Sequence, residues 1–262
     1  MIRLATPADY PAALRVIADA FNVQATAPTV HTLVADSPHG HLLVAEQDGR
    51  IVGTAACVGF GRTGWIGGVA VAEDARGQGL GRRLTEAALD ALGPRETVLL
   101  LASEAGRPIY ERLGFVAEQH YRKFWTPDVV LPRVADIRPL TPAHREAVRA
   151  LDARVTGEDR TLAIDAALAG GVATLDLAAV ALRPPWPALP ILARDPAAGA
   201  VLLGAVIGPN VRVSVPEANE AAVAALQVHG ATEGEPVLRM RRGPAVEWRP
   251  QELWGVFSLF FG

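Results

Sequence analysis

The stretch Gly67 to Leu84, GGVAVAEDARGQGLGRRL, changes character twice within eighteen residues. It begins inside an apolar run, Trp65 to Ala72, that reads as a strand, and it ends inside a helix predicted over Leu80 to Leu92. Leu80, Leu84, Ala88 and Ala91 fall on one face of that helix, and Gly93-Pro94 ends it. Between strand and helix lies Arg76-Gly77-Gln78-Gly79-Leu80-Gly81. A strand that delivers a glycine-rich turn onto a helix N-terminus presents several unpaired backbone N–H groups at the positive end of the helix dipole. That arrangement suits a diphosphate without a metal. The same residues could equally form a tight turn that binds nothing. Two nucleotide signatures fail here. No Gly-Lys-Ser/Thr follows, and a dinucleotide fold would place its glycines after the first strand, with an acid closing the next. Three strand-like segments precede this turn instead, and the following strand, Val98 to Ala102, is wholly apolar.

Upstream, His41 to Ala45 and Ile51 to Phe60 flank Asp48-Gly49, a hairpin turn signal. Near the start, Ile2, Arg3, Thr6, Pro7 and Ala8 recur as Ile137, Arg138, Thr141, Pro142 and Ala143 at a constant offset of 135. Each copy reads as a short strand, a Thr N-cap and a Pro opening a helix, the first with apolar spacing Leu14, Ile17 and Phe21. Thr126 to Ala135 carries two prolines and suits an extended connection. The expected division is therefore 1–126, a linker at 127–135, and 136–262.

The second copy is shorter, with 93 positions from Ile137 to Gly230 against 112 from Ile2 to Gly114. Val201 to Ile207 and Val211 to Val215 read as consecutive strands around Gly208-Pro209-Asn210, leaving no room for a helix between them. The terminal run Leu253 to Gly262, LWGVFSLFFG, reads as a buried strand.

At 262 residues, with 50% apolar and 20% charged residues, the chain has ample core for two domains. A net charge of -3 disfavours a nucleic-acid or anionic-membrane partner. No apolar run reaches the ~18 residues of a membrane span, and the single cysteine, Cys57, excludes an internal disulfide and a Cys-rich zinc site. The cytoplasm is the expected compartment.

The Gly67–Leu84 stretch, followed by RPIYERLGF at Arg107 to Phe115, resembles the GNAT superfamily of acyl-CoA-dependent N-acetyltransferases, and the likeness covers most of residues 1–125. The resemblance implies an α/β architecture: two tandem GNAT-like mixed sheets flanked by helices, the second truncated, with two central parallel strands of the first splaying apart around acetyl-CoA. It implies that backbone amides of Arg76, Gly77, Gln78, Gly79, Leu80, Gly81 and Arg82 hold the CoA pyrophosphate. The strand Val69, Ala70 and Val71 would pair with the pantetheine arm, and an N–H near Val69 would polarise the thioester carbonyl. Glu73 stands where the family commonly has Pro. Tyr110 aligns with the tyrosine that protonates the departing thiolate in many members; alternatively it packs the helix onto the sheet.

Glu73, Glu104, His31, His39 and His41 could each accept the amine's proton, and no motif selects one of them. In the second half, Leu226 stands where Tyr110 stands in the first, and no Arg-rich glycine turn occurs in 136–262, so that half reads as a degenerate copy. The expected protein is an acetyltransferase that acts by direct amine attack, needs no metal, takes an amine-bearing acceptor and is a monomer or homodimer. The alternative is an acyl-CoA sensor or interaction module without turnover.

Overall fold

The structure is a computed structural model and describes residues 1–22, 34, 37–128, 135–186 and 188–262. His31 and most of the expected linker lie outside the described residues.

The first half runs β1 (Ile2–Leu4), a 3-10 turn Pro7–Asp9, α1 (Tyr10–Phe21), β2 (Gly40–Gln47), β3 (Arg50–Phe60) and β4 (Thr63–Val71). A 3-10 turn Glu73–Ala75 follows, then α2 (Leu80–Leu92), β5 (Thr97–Ala102), α3 (Arg107–Arg112) and β6 (Val116–Trp125). Asp48 and Gly49 both take positive φ, which matches a two-residue hairpin to the twist of β2 and β3. The sheet order is β1-β2-β3-β4-β5, antiparallel as far as β4 and parallel between β4 and β5. Leu80, Leu84 and Ala88 are buried as the spacing predicts, joined by Thr85 and Leu92. Gly53 and Gly64 allow the close approach, because a Cβ on either would fall within 3 Å of Leu84 or Leu92. Burying such a leucine contributes about 1.5–3 kcal/mol. On α1 the buried stripe is Ala13, Val16 and Ile17, one step round from the expected face, and Phe21 is 43% exposed.

The second half follows a similar order with an added helix and a closing strand: β7 (Ile137–Pro139), a 3-10 turn Pro142–His144, α4 (Arg145–Thr156), α5 (Thr161–Ala167), β8 (Val172–Thr174), β9 (Ala179–Ala181) and β10 (Ile191–Ala193). After these come α6 (Pro196–Val206), β11 (Arg212–Pro216), α7 (Glu220–Val228), β12 (Thr232–Arg242) and β13 (Leu253–Gly255). Both copies of the 135-residue repeat form the same start. Thr6 and Thr141 each open a capping box onto a 3-10 turn that leads into a 12-residue helix, and each helix closes on a left-handed residue, Asn22 or Gly157.

Two sequence expectations are corrected. Val201 to Ile207 is not a strand; all but Ile207 belongs to α6, so the second half does have a helix in the position of α2. A continuously apolar run carries no periodicity that separates helix from strand, and the start signal is Asp195-Pro196. The shortening lies in the strands, where β2, β3 and β4 have 8, 11 and 9 residues and β8, β9 and β10 have 3 each. The terminal run is a strand only over Leu253–Gly255. The remainder is a turn in which Val256, Phe257 and Phe261 are buried and Gly262 N–H donates to Ser258.

Two compact units result. One comprises Met1–Val116 with Met240–Pro244 and Phe261, and the other Ala117–Arg239 with Ala245–Phe260 and Gly262. The division falls after Val116, the first residue of β6, whereas the composition of 127–135 suggests a later join. Strand β6 pairs in register with β11, Tyr121 opposite Pro216 through Trp125 opposite Arg212, and this ladder groups it with the second unit.

Candidate acyl-CoA site

Strands β4 and β5 pair only at Thr63–Thr97, Gly64–Val98 and Trp65–Leu99. Beyond Trp65 the edge of β4 that faced β5 has no strand partner among the described residues. Its other edge stays on β3, interrupted by a bulge. Thr54 lies opposite Ala70 and Ala56 opposite Gly67, so Gly68 and Val69 fall out of register together. Gly68 takes φ +58, which glycine adopts without a Cβ penalty. The buried Thr54 hydroxyl donates to the Gly68 carbonyl at 2.8 Å. Val69 and Val71 are partly exposed while Ala70 is buried, as alternation requires.

Continuing from β4, the Arg76 Nε donates to the Val71 carbonyl at 3.1 Å, which folds the turn back on the strand end. Gly77 and Gly79 have φ of +78 and +72, and a Cβ on either would meet nothing within 4 Å. Glycine is required there for conformation, since the surrounding space is open. Gly79 caps α2 without any side-chain hydrogen bond, and the helical ladder begins with Arg83 N–H donating to Gly79 at 3.1 Å. The amides of the first turn, through Arg82, therefore point outward from the dipole's positive end. Gln78 is held by Gln47, whose Nε2 donates to Gln78 Oε1 at 3.1 Å.

Helix α3 reaches this turn through Ile109, whose Cδ1 lies 3.3 Å from where a Gly81 Cβ would stand. The next residue, Tyr110, is 9% exposed and packs edge-on against Phe115, with ring centroids 6.0 Å apart. Its hydroxyl makes no hydrogen bond among the described residues. Burial pushes the phenol up to about 12, so it is fully protonated at neutral pH.

The structure thus brings Val69 to Val71, Arg76 to Arg82 and Tyr110 into one unit. Among the candidate bases, His39, Glu73 and Glu104 are exposed and His41 is half-buried on β2, opposite Cys57. None of these is drawn to Tyr110 by a hydrogen bond. Among the described residues no group of three or more His, Cys, Asp or Glu could hold a metal, and no helix is long and apolar enough to cross a membrane. The bulge and its Thr54 latch escaped the sequence reading. The paired glycines Gly67-Gly68 inside a strand-like run were the available signal.

Residues 38–117 match the family model described as an acetyltransferase (GNAT) domain. The Schizosaccharomyces pombe protein N-alpha-acetyltransferase 30 is 35% identical over 92 residues, which cover 31% of this chain and 61% of that relative. The chain therefore matches less than two thirds of the relative's length. A crystal structure of a candidate acetyltransferase from Pyrococcus horikoshii superposes with a TM-score of 0.87 over 100% of this chain and 95% of that one, at 21% identity. A GCN5-related N-acetyltransferase from Anabaena variabilis gives a TM-score of 0.55 over 92% of this chain and 72% of its own, at 12% identity. At these identities the two structures establish the fold, and the first extends the likeness through both halves.

Proposed function

We propose that the chain transfers an acetyl group from acetyl-CoA to a primary amine, a reading supported by the match of residues 38–117 to the family model described as an acetyltransferase (GNAT) domain. The observation that carries this reading is the parting of β4 from β5 after Trp65 and Leu99, directly upstream of the uncapped N-terminus of α2. On it, the pantetheine arm adds to the free edge of β4 at Val69 to Val71 as an extra strand. The pyrophosphate rests on the amides from Gly77 to Arg82.

The amine nitrogen attacks the thioester carbonyl carbon, and the carbonyl electron pair moves onto oxygen, to which the Val69 N–H donates a hydrogen bond. Collapse re-forms the carbonyl, breaks the C–S bond and releases the thiolate, while the nitrogen gives up its proton to solvent water, from which the thiolate is protonated. A phenol near 12 is a weaker acid than a thiol of pKa about 8.5. Tyr110 therefore acts as a hydrogen-bond donor that stabilises the departing sulfur, and outright proton transfer from it is uphill. The name of the S. pombe relative supports an amine as acceptor.

The test is binding followed by turnover. At a hundredfold excess over Kd, a ligand that binds only the folded state stabilises it by about 2.7 kcal/mol. Acetyl-CoA is expected to raise the melting temperature, and a panel of amines and peptide N-termini is expected to release free thiol. Binding without turnover across the panel would favour an acyl-CoA sensor instead, and no melting shift would remove the site altogether.

A further inference from the structure

We propose that Thr54, a residue of β3 that touches neither CoA nor acceptor on the reading above, is the positioning residue for the oxyanion donor at Val69. The Gly68 carbonyl and the Val69 N–H belong to one planar peptide unit, and in a trans peptide they point in opposite directions. Fixing one fixes the other. Thr54 is fully buried, and its Oγ1 donates to the Gly68 oxygen at 2.8 Å from the β3 side of β4. The Val69 N–H is thereby turned away from β3, toward the edge that β5 has left free.

The bulge makes this bond important to that orientation. Gly68 and Val69 are out of register with β3, so their shared peptide lies outside the regular pairing of the two strands. Gly68 has left-handed φ and no side chain, which makes the peptide one of the easier ones in the strand to rotate. A buried carbonyl without a donor is costly, so the Thr54 hydroxyl both satisfies it and selects one of two peptide orientations. A carbonyl that accepts a hydrogen bond also polarises its peptide and strengthens the N–H at the other end as a donor.

This inference rests on the proposed acetyl-CoA site, and the experiment separates the two. Bound acetyl-CoA labelled with carbon-13 at the carbonyl is followed by isotope-edited infrared spectroscopy in the full chain, in Thr54→Val and in Thr54→Ser. The parent and Thr54→Ser are expected to lower the carbonyl stretch relative to free acetyl-CoA. Thr54→Val is expected to return it toward the free value at unchanged acetyl-CoA affinity, with kcat reduced roughly tenfold to a hundredfold on an amine that the parent acetylates.

A purely structural role for Thr54 predicts a lower melting temperature without a change in the carbonyl band. If Thr54→Val binds acetyl-CoA with the parent's band and kcat, the positioning role is overturned while the site stands. If the parent does not bind acetyl-CoA, the site is overturned and this role with it. Should Thr54→Val not fold, Gly68→Ala attacks the same peptide through its φ and is expected to give the same loss of carbonyl polarisation; an unchanged band there overturns the proposal.

Discussion

The two halves of the chain carry a similar element order and treat the same position in opposite ways. In the first, β4 leaves β5 after three residue pairs and has no further strand partner on that edge among the described residues, while Ala72 to Gly79 provides a long glycine-bearing turn into α2. In the second, the corresponding edge of β10 is paired with β13, Ile191 opposite Gly255 and Leu192 opposite Leu253. Asn219, just past β11, holds the Leu253 carbonyl at 3.0 Å. The turn into α6 shrinks to Arg194 and Asp195, and the Asp195 carboxylate takes the Ala198 N–H at 2.9 Å, a negative charge at the spot where an anion would have to sit. Leu226, fully buried, replaces Tyr110, yet the backbone around them is the same. Phe115 N–H donates to Tyr110 and Ala231 N–H donates to Leu226, both at 3.0 Å. One fold thus parts β4 from β5, or closes the corresponding edge with a strand of its own.

Removing what closes the second slot should therefore do far more damage than leaving the first one empty. Ending the chain at Arg249 strips away Leu253, Trp254, Val256, Phe257 and Phe261, all buried. At about 1.5–3 kcal/mol each, their loss rivals the entire stability of an ordinary domain. The expected product is insoluble or lacks a cooperative melt; a soluble chain with an unchanged melting temperature would show that β13 is dispensable. Next in size is the Tyr110 contrast. Tyr110→Phe keeps the ring packing and removes the donor, so kcat is expected to fall about a hundredfold with acetyl-CoA affinity retained. Equal kcat in the two proteins, with acyl transfer shown to be rate-limiting, would leave Tyr110 as a packing residue like Leu226.

Glycine does different work in the two slots, and single methyl groups should reveal it. A Cβ on Gly199 would lie 2.2 Å from the Trp254 ring, so Gly199→Ala overpacks α6 against β13 and is expected to cost about 1–3 kcal/mol by denaturant unfolding. Gly79→Ala meets open space and is expected to cost only the left-handed strain, about 1–2 kcal/mol. A larger loss at Gly79 than at Gly199 would reverse this assignment.

The smallest effect is alkaline. Burial raises Tyr110 in the first unit and Tyr121 in the second to about 12 from 10.0, and Cys57 to about 12 from 9.0. Raised folded values mean that the ionised forms are disfavoured in the folded state. Stability is then complete below about pH 9 and declines as pH rises toward 12. A melting temperature that stays level from about pH 8 to pH 11 would show that these groups are less buried than described.

The first half was legible because its signals are local. The Asp48-Gly49 hairpin, the glycine turn at 76–81 and the amphipathic face of α2 each depend on neighbours in sequence. The second half departs from the sequence reading where the residues are continuously apolar, since Val201 to Val206 shows neither a helical nor a strand period. The partnership of β10 with β13 is invisible in sequence because about sixty residues separate the strands, and short strands carry little register information. The Thr54 latch is likewise a contact between strands, and a threonine inside an apolar strand announces no partner.

Calorimetric titration of the full chain with acetyl-CoA tests the contrast between the halves most directly. The account predicts one acetyl-CoA per chain. It also predicts that Gly79→Glu, which places a carboxylate beside the open amides of α2, abolishes that binding in a protein that still folds. Two equivalent sites, or binding that survives Gly79→Glu unchanged, would contradict it, because either the slot beside β10 would then accept ligand or the turn at Gly77 to Gly81 would not be the anion site.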